Sequence, residues 1–432
     1  MTPSRGLRRK ESSELQDSTD HWIRFKTGDF GEKWNSSKLI VKEGKSAIAP
    51  LIALLRDPTA DAETHWFTIR ALGSFPDPQV ITAIASQIGP ACHYEQRTAE
   101  QATELNNFAI ETLAAMGALA IDVLTQLLQS PQQRLLAAKA LNQIRSVGVI
   151  PAMVSISKDE NATVRYYAVD ALGSFHNPVV TPVLIDALSD PAPTVRKAAV
   201  MALGRRPDLQ TSCQLSQQIQ PLLWDIDMTV CCQAALALGR LGTEYTIATL
   251  HQVLMSINTP LVLRLDIVRA LAWCCDNANR SVYPEFSRQA PQQAYDTLKQ
   301  ALQDFAATHF TASKENMTSL SSEEIEQILV AIVRVFGNLR PIANVVTQSL
   351  IAFLKTQPPS VAVTQATIMA LADLTQPQAF EALLPLLNHR AEAIPIHTIA
   401  ALKRLDPEHS LERVTRYLNK FSDGGVGILE LW

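Results

Sequence analysis

Apolar residues return along this chain in a repeating pattern. A small residue followed by a large apolar one, as in Ala71-Leu72, Ala171-Leu172, Ala202-Leu203 and Ala237-Leu238, recurs at spacings that are usually 31 to 35 residues. Taking the large residue as a marker gives Leu72, Met116, Leu141, Leu172, Leu203, Leu238, Leu271, Phe336, Leu371 and Leu402, and Leu39 fits one step earlier. Three positions before the marker stand Ile69, Leu113, Ala138, Val169, Val200, Ala235, Val268, Val333, Ile368 and Ile399, an apolar column through ten unlike segments. Eight positions before it stand Val164, Val195, Val230, Leu263 and Val363. These offsets trace one stripe of an α-helix, and the alanine beside the marker lets neighbouring helices approach closely. Glycine follows the marker at Gly73, Gly117, Gly173, Gly204, Gly239 and Gly337, where a left-handed residue would close the helix. A second apolar helix precedes it in each unit, often entered by proline, as at Pro50, Pro151, Pro182 and Pro221; in a first helical turn the missing amide has no intrahelical partner to lose. A repeat of this length is one helical hairpin, which buries its apolar face only by stacking on its neighbours. The pattern therefore predicts an all-α chain of about eleven stacked hairpins.

Two polar columns accompany the stripe. Asp159, Asp190, Asp225 and Asn258 stand 13 before their markers, and Arg165, Arg196 and Arg264 stand 7 before theirs. This arrangement resembles the HEAT repeat, and the segments Asp159 to Gly173 (DENATVRYYAVDALG) and Asp190 to Gly204 (DPAPTVRKAAVMALG) resemble the HEAT-like repeats associated with phycobilisome bilin lyases of cyanobacteria. The resemblance covers roughly residues 30 to 405. It implies a right-handed α-α superhelical solenoid with second helices on the concave side, and a hydrogen-bonded ladder formed by Asp159, Arg165, Asp190, Arg196, Asn258 and Arg264. Cys231 departs from the pattern by replacing the expected arginine, which leaves Asp225 without its usual partner.

The array is interrupted. Spacing grows between Leu72 and Met116, with a polar connection near 91–106, and again between Leu271 and Phe336, with connections near 276–290 and 307–322 around a helix at Gln292 to Phe305. Long loops of this kind are functional or disordered, and the second interruption holds Tyr283, Phe286 and Phe310. The division expected is a disordered tail at 1–20, a solenoid at 21–421 closed by an amphipathic helix from Glu408 to Phe421, and an apolar tail at 422–432 that folds back or docks elsewhere.

Composition narrows the function. A net charge of −4 over 432 residues gives no global attraction to nucleic acid, and no apolar run reaches the length of a membrane span. The basic start lacks a hydrophobic segment behind it, so it does not read as a secretory signal, and a cytoplasmic location is expected. No phosphate-cradling glycine loop, HExxH, GxSxG or CxxC is present. Of the six cysteines, Cys231-Cys232 and Cys274-Cys275 form adjacent pairs. Their register places them at opposite ends of neighbouring helices, on the order of 15 Å apart at ~1.5 Å rise per residue, which is too far for shared metal ligation, and no metal site is expected. His65, His93 and His397 have no second ligand at a helical offset, and Glu323-Glu324 reads as a helix start capped by Ser321 or Ser322.

The columns 2, 5 and 6 before the marker fail to stay apolar. They supply the candidate contact residues Trp66, Phe67, Arg70, Tyr166, Tyr167, Asp170, Asp266, Arg269 and Arg334, mixing arginine and aromatics as binding hot spots do. The expectation is a non-catalytic scaffold that binds a protein partner, without a cofactor. The alternative follows from the resemblance: a phycobilin lyase or bilin chaperone, in which these residues hold a linear tetrapyrrole while a phycobiliprotein cysteine attacks.

Overall fold

The computed structural model describes residues 20–89, 98–275, 289–311, 320–356 and 358–419. Every regular element among them is helical, and eleven marker-bearing helices are present. The tails at 1–19 and 420–432, with most of the connection 276–290 and the centre of 307–322, lie outside the described residues, as do Cys92, His93, Tyr283 and Phe286. The chain divides into two compact units, 1–199 and 200–432, with the boundary inside the helix Pro193–Leu203.

In the first unit a short helix at 20–27 leads into Phe30–Lys42. The hairpins Gly44–Leu55 with Ala62–Leu72, Pro78–Ala85 with Ala99–Ala115, Gly117–Leu127 with Arg134–Gln143, and Val147–Ile156 with Ala162–Leu172 follow. The second helices pack one on the next from Phe30–Lys42 to Ala162–Leu172. The second unit repeats the scheme: Met228–Leu241, Leu261–Cys275, Ser322–Gly337, Val361–Leu374 and Ala393–Leu405 stack in order, and Ser410–Leu418 covers the last. Each unit is an α-solenoid segment whose core is the marker stripe, with Leu172, Leu238, Leu271, Phe336 and Leu371 all at 0% exposure.

Two markers move. In the first second helix Ile40 is fully buried and Leu39 is not; Lys33, Ser36, Ser37 and Ile40 form the buried stripe. In Ala99–Ala115 the stripe is Leu105, Ala109, Ile110 and Leu113, so the marker is Leu113 rather than Met116. The polar stretch near 91–106 is partly helix, because Thr98 and Gln101 close a capping box that starts Ala99–Ala115 within it. The second expanded segment also contains more helix than expected, since Ala290–Thr311 runs well beyond Phe305.

The glycines after the markers also serve differently. Gly117 alone among those six has a left-handed backbone, at φ +64, whereas Gly73 and Gly173 are right-handed at φ −57 and −60. The others make room for the next helix. A Cβ on Gly204 would lie 2.6 Å from the Cβ of Ala237, one on Gly239 2.6 Å from the Cα of Ala270, and one on Gly337 3.0 Å from the Cα of Ala370. Glycine after one marker thus meets alanine before the next, and the backbones touch.

Left-handed closure falls instead on Gly242, at φ 57, and on Thr375, at φ 52 and ψ 32. A β-branched residue in that region is strained by roughly 1–3 kcal/mol. Thr375→Gly should therefore raise stability by about 0.5–1 kcal/mol after the entropy of the new glycine is subtracted, read as a higher urea midpoint.

Two forward-running rungs are seen in the first unit. Arg134 Nη1 reaches Asp159 Oδ2 at 2.9 Å, and Arg165 grips Asp190 with Nε and Nη2 at 2.7 and 2.8 Å. Each arginine also donates to carbonyls of its own hairpin turn: Arg134 to Leu128, Arg165 to Asp159 and Glu160, Arg196 to Asp190 and Pro191. Because each rung joins an arginine to the aspartate of the following hairpin, the cysteine at 231 alters the rung toward position 258, not that of Asp225. Its thiol takes over the turn contact, donating to Asp225 O at 3.1 Å. Arg264 and Asn258 do not pair. Arg264 is 2% exposed and donates instead to the carbonyls of Leu254, Ser256 and Thr259, while Asn258 points to solvent. In the shifted registers Lys33 takes the arginine position and binds Asp61 Oδ2 at 3.0 Å, and Asn106 takes it in the next-but-one helix, bonding both N–H and carbonyl of Gly89.

Candidate functional site

The buried stripe of Phe30–Lys42 sets its marker at Ile40 and brings two of its side chains into the polar columns of the later second helices. With Ile40 as marker, Trp34 falls in the column of Trp66 and Tyr166, and Lys38 in the column of Arg70, Lys139 and Asp170. The structure brings these together on the second helices of the first unit. The Arg70 guanidinium lies 3.6 Å from the Trp34 ring centroid and 5.7 Å from that of Trp66, and Lys38 Nζ lies 5.0 Å from the Trp34 ring. Trp66 stacks on Phe108 at 4.6 Å with an interplanar angle of 20°. Trp34, Trp66, Arg70 and Phe108 are each half-buried, and Lys38 is exposed. Among the described residues neither Lys38 nor Arg70 has a carboxylate within ion-pair distance.

Phe67 does not belong to this surface. It is at 0% exposure, edge-on to Phe30, Trp34 and Trp66, and anchors the aromatics from below. Its neighbour Trp66 points outward because adjacent helical residues diverge by about 100°.

Tyr166 and Tyr167 are both half-buried, with ring centroids 5.5 Å apart. Burial, with Asp170 and Tyr167 adding to it, raises the Tyr166 phenol above its ordinary value, so the hydroxyl keeps its proton near neutrality. Asp170 accepts from Asn142 Nδ2 at 3.1 Å, and Lys139 donates to Asn107 Oδ1 at 2.9 Å. The remaining candidates lie in the second unit. Arg269 is tied to Asp266 at 2.5 Å one turn away, and Arg334 is exposed.

Among the described residues no group of three His, Cys, Asp or Glu side chains is placed to hold a metal ion. Cys231 and Cys274 address opposite ends of the helix Met228–Leu241: one thiol donates to Asp225 O before it, the other to Gly239 O near its end at 3.3 Å. His65 Nδ1 lies 2.9 Å from Asp61 O and His397 Nδ1 2.7 Å from Ala393 O, both structural contacts within their own helices. Ser321 and Glu324 close a capping box, which accounts for the glutamate pair. A cavity of about 640 Å³ lies in the second unit, between Ala290–Thr311 and Ala343–Lys355, bordered by Leu302, Ala306, Val345, Phe353 and Lys299. The long spacing before Phe336 was its sequence signal. No single described helix is long and apolar enough to cross a membrane.

Stacked hairpins tied by forward arginine–aspartate rungs define an α-helical repeat protein. Residues 150–223, which contain the Arg165–Asp190 rung, match the family described as HEAT repeats. No curated protein matches the chain. Among solved structures it is similar to an engineered protein (17% identity, 90% of this chain and 98% of that one, TM-score 0.37). It is similar also to human deoxyhypusine hydroxylase in complex with glycerol (17%, 72% and 100%, 0.27). A third similar structure is importin beta (15%, 94% and 66%, 0.49), so the chain spans just under two thirds of that protein.

Proposed function

We propose that this chain is a non-catalytic scaffold that binds a protein partner through the second-helix face of its first unit. One observation carries the reading: Arg70 sits half-buried over Trp34 and beside Trp66, and among the described residues no carboxylate lies within ion-pair distance of it. Arginine and tryptophan are enriched among the residues that dominate protein interfaces, and a guanidinium already held over an indole loses little further freedom when a partner arrives. Tyr166, Tyr167 and Asp170 extend the face along the same unit. Arg70→Ala combined with Tyr166→Ala should weaken partner capture by about 2 kcal/mol or more, roughly thirtyfold. Quantitative cross-linking of the purified full chain in extract of its source cell checks this. Retention of every cross-linked partner by the double variant would place the contact surface elsewhere.

A phycobilin lyase or bilin chaperone is the second reading, favoured by the flat Trp66–Phe108 stack beside Arg70. Aromatic faces suit tetrapyrrole rings, and a guanidinium suits a propionate. Co-expression with a bilin-producing pathway and a phycobiliprotein subunit should then yield a covalently coloured subunit. A colourless subunit beside a working positive control would remove this reading for that substrate.

A further inference from the structure

We infer that the paired cations at Trp34 form a docking site for an acidic segment of the partner protein. The inference rests on the scaffold reading and adds the chemistry of what is bound. Lys38 and Arg70 come from successive second helices yet converge on one indole, at 5.0 and 3.6 Å from its centroid. Two like charges brought to one ring repel, and the ring quadrupole offsets that repulsion only in part. A carboxylate brought to these cations relieves it and gains charge-assisted hydrogen bonds from a guanidinium already held against the ring.

The neighbouring residues select the kind of anion. Two positions before the marker, successive second helices present Lys38, Arg70, Glu111, Lys139 and Asp170, so the first two are the one adjacent pair of cations in that row and Lys139 stands between two carboxylates. A long polyanion such as a nucleic-acid strand running along this row meets Glu111 and Asp170 and is repelled there. A peptide that places a few carboxylates over Lys38 and Arg70 and an apolar side chain on the Trp66–Phe108 stack fits the row without conflict. Trp66 and Phe108 are held in stacked geometry before binding, so little side-chain order remains to be imposed.

The probe is a short fluorescein-labelled peptide of alternating glutamate, aspartate and leucine, titrated against the full-length protein by fluorescence anisotropy. Saturable binding is expected, accompanied by a change in tryptophan emission. Lys38→Glu and Arg70→Glu should each weaken binding at least tenfold, while Arg340→Glu, an equal charge change on the exposed surface of the second unit, should leave it within twofold. Lys38 is exposed, so its variant keeps the test sound even where the Arg70 variant folds poorly. Absence of saturable binding would overturn the inference, as would equal weakening by Arg340→Glu, or a single-stranded oligonucleotide that binds as tightly as the peptide. The scaffold reading is tested separately by the cross-linking above: partners lost in the Arg70 and Tyr166 double variant, beside a peptide that does not bind, would leave a scaffold whose partner is not acidic at this contact.

Discussion

Gly239→Ala should destabilise the second unit by about 2 kcal/mol, although the same change in an ordinary helix is favourable. Glycine costs a helix roughly 1 kcal/mol relative to alanine, and Gly239 lies inside Met228–Leu241, where that gain would apply. The neighbouring helix reverses the sign. The added Cβ would stand 2.6 Å from both the Cα and Cβ of Ala270 and 2.7 Å from its carbonyl oxygen. These are backbone and first side-chain atoms, which cannot swing aside, so the two helices must separate. Overpacking of this kind costs about 1–3 kcal/mol, and in a stack of hairpins the interface between neighbours is what holds each hairpin in place. Cys274 Sγ also donates to Gly239 O at 3.3 Å, a contact that separation would lengthen. Gly31→Ala is the control: it sits in the first turn of Phe30–Lys42, the nearest atom to its added Cβ is at 3.4 Å, and the change should stabilise by a few tenths up to about 1 kcal/mol. Urea unfolding followed by far-ultraviolet circular dichroism separates the two signs. A Gly239→Ala protein as stable as the parent would mean that these backbones do not touch.

The contrast between those two glycines shows where the sequence was readable. Periodicity located the eleven second helices, because an apolar stripe must recur wherever hairpins stack, and alanine beside the marker correctly announced close packing. The purpose of the following glycine was not readable. A left-handed cap and a close backbone approach select the same residue, and only the position of Ala237, Ala270 or Ala370 distinguishes them. Register failed where local polarity hid the stripe. Ser36 and Ser37 are buried core residues in the first second helix, so the apolar stripe is broken there and the spacing of 33 before Leu72 points to Leu39 instead of Ile40, a one-residue slip that takes Trp34, Lys38 and Lys33 out of their columns. Arg134 stands at the ladder offset from Leu141 although its own hairpin turn has no aspartate in the matching column. The rung shows why that absence is unimportant: its acceptor is Asp159 of the next hairpin. Phe67 and Trp66 stand in adjacent columns that both fail to stay apolar, yet one is core and the other half-buried.

Loss of a rung should be the costliest polar change in the first unit. Arg165→Ala removes two charge-assisted bonds to Asp190 and two donations to the carbonyls of Asp159 and Glu160. The Asp190 side chain, 9% exposed, is left with the Ala192 N–H at 2.8 Å but no facing guanidinium from this hairpin. Breaking a buried pair from one side costs about 3–5 kcal/mol, and the low end applies because both groups retain some contact with water. Arg165→Lys keeps the charge and loses the fork, so an intermediate loss is expected. The pH dependence separates charge from packing. Burial pushes the Asp190 carboxyl up, but hydrogen bonds from Arg165 and the Ala192 amide, with the positive charges of Arg165 and Arg196, outweigh it and hold the group below its ordinary 3.8. A carboxyl lowered by folding contributes stability that is complete above its unfolded value and disappears as pH falls through the folded one. Without Arg165 the burial effect dominates and that contribution shrinks or changes sign. The gap in urea midpoint between the parent and Arg165→Ala should therefore be widest at neutrality and should narrow as pH falls below 3.8 and through the lowered folded value. A gap of constant size across that range would assign the whole loss to packing and to the turn carbonyls, and would remove the ion pair as the element that joins successive hairpins.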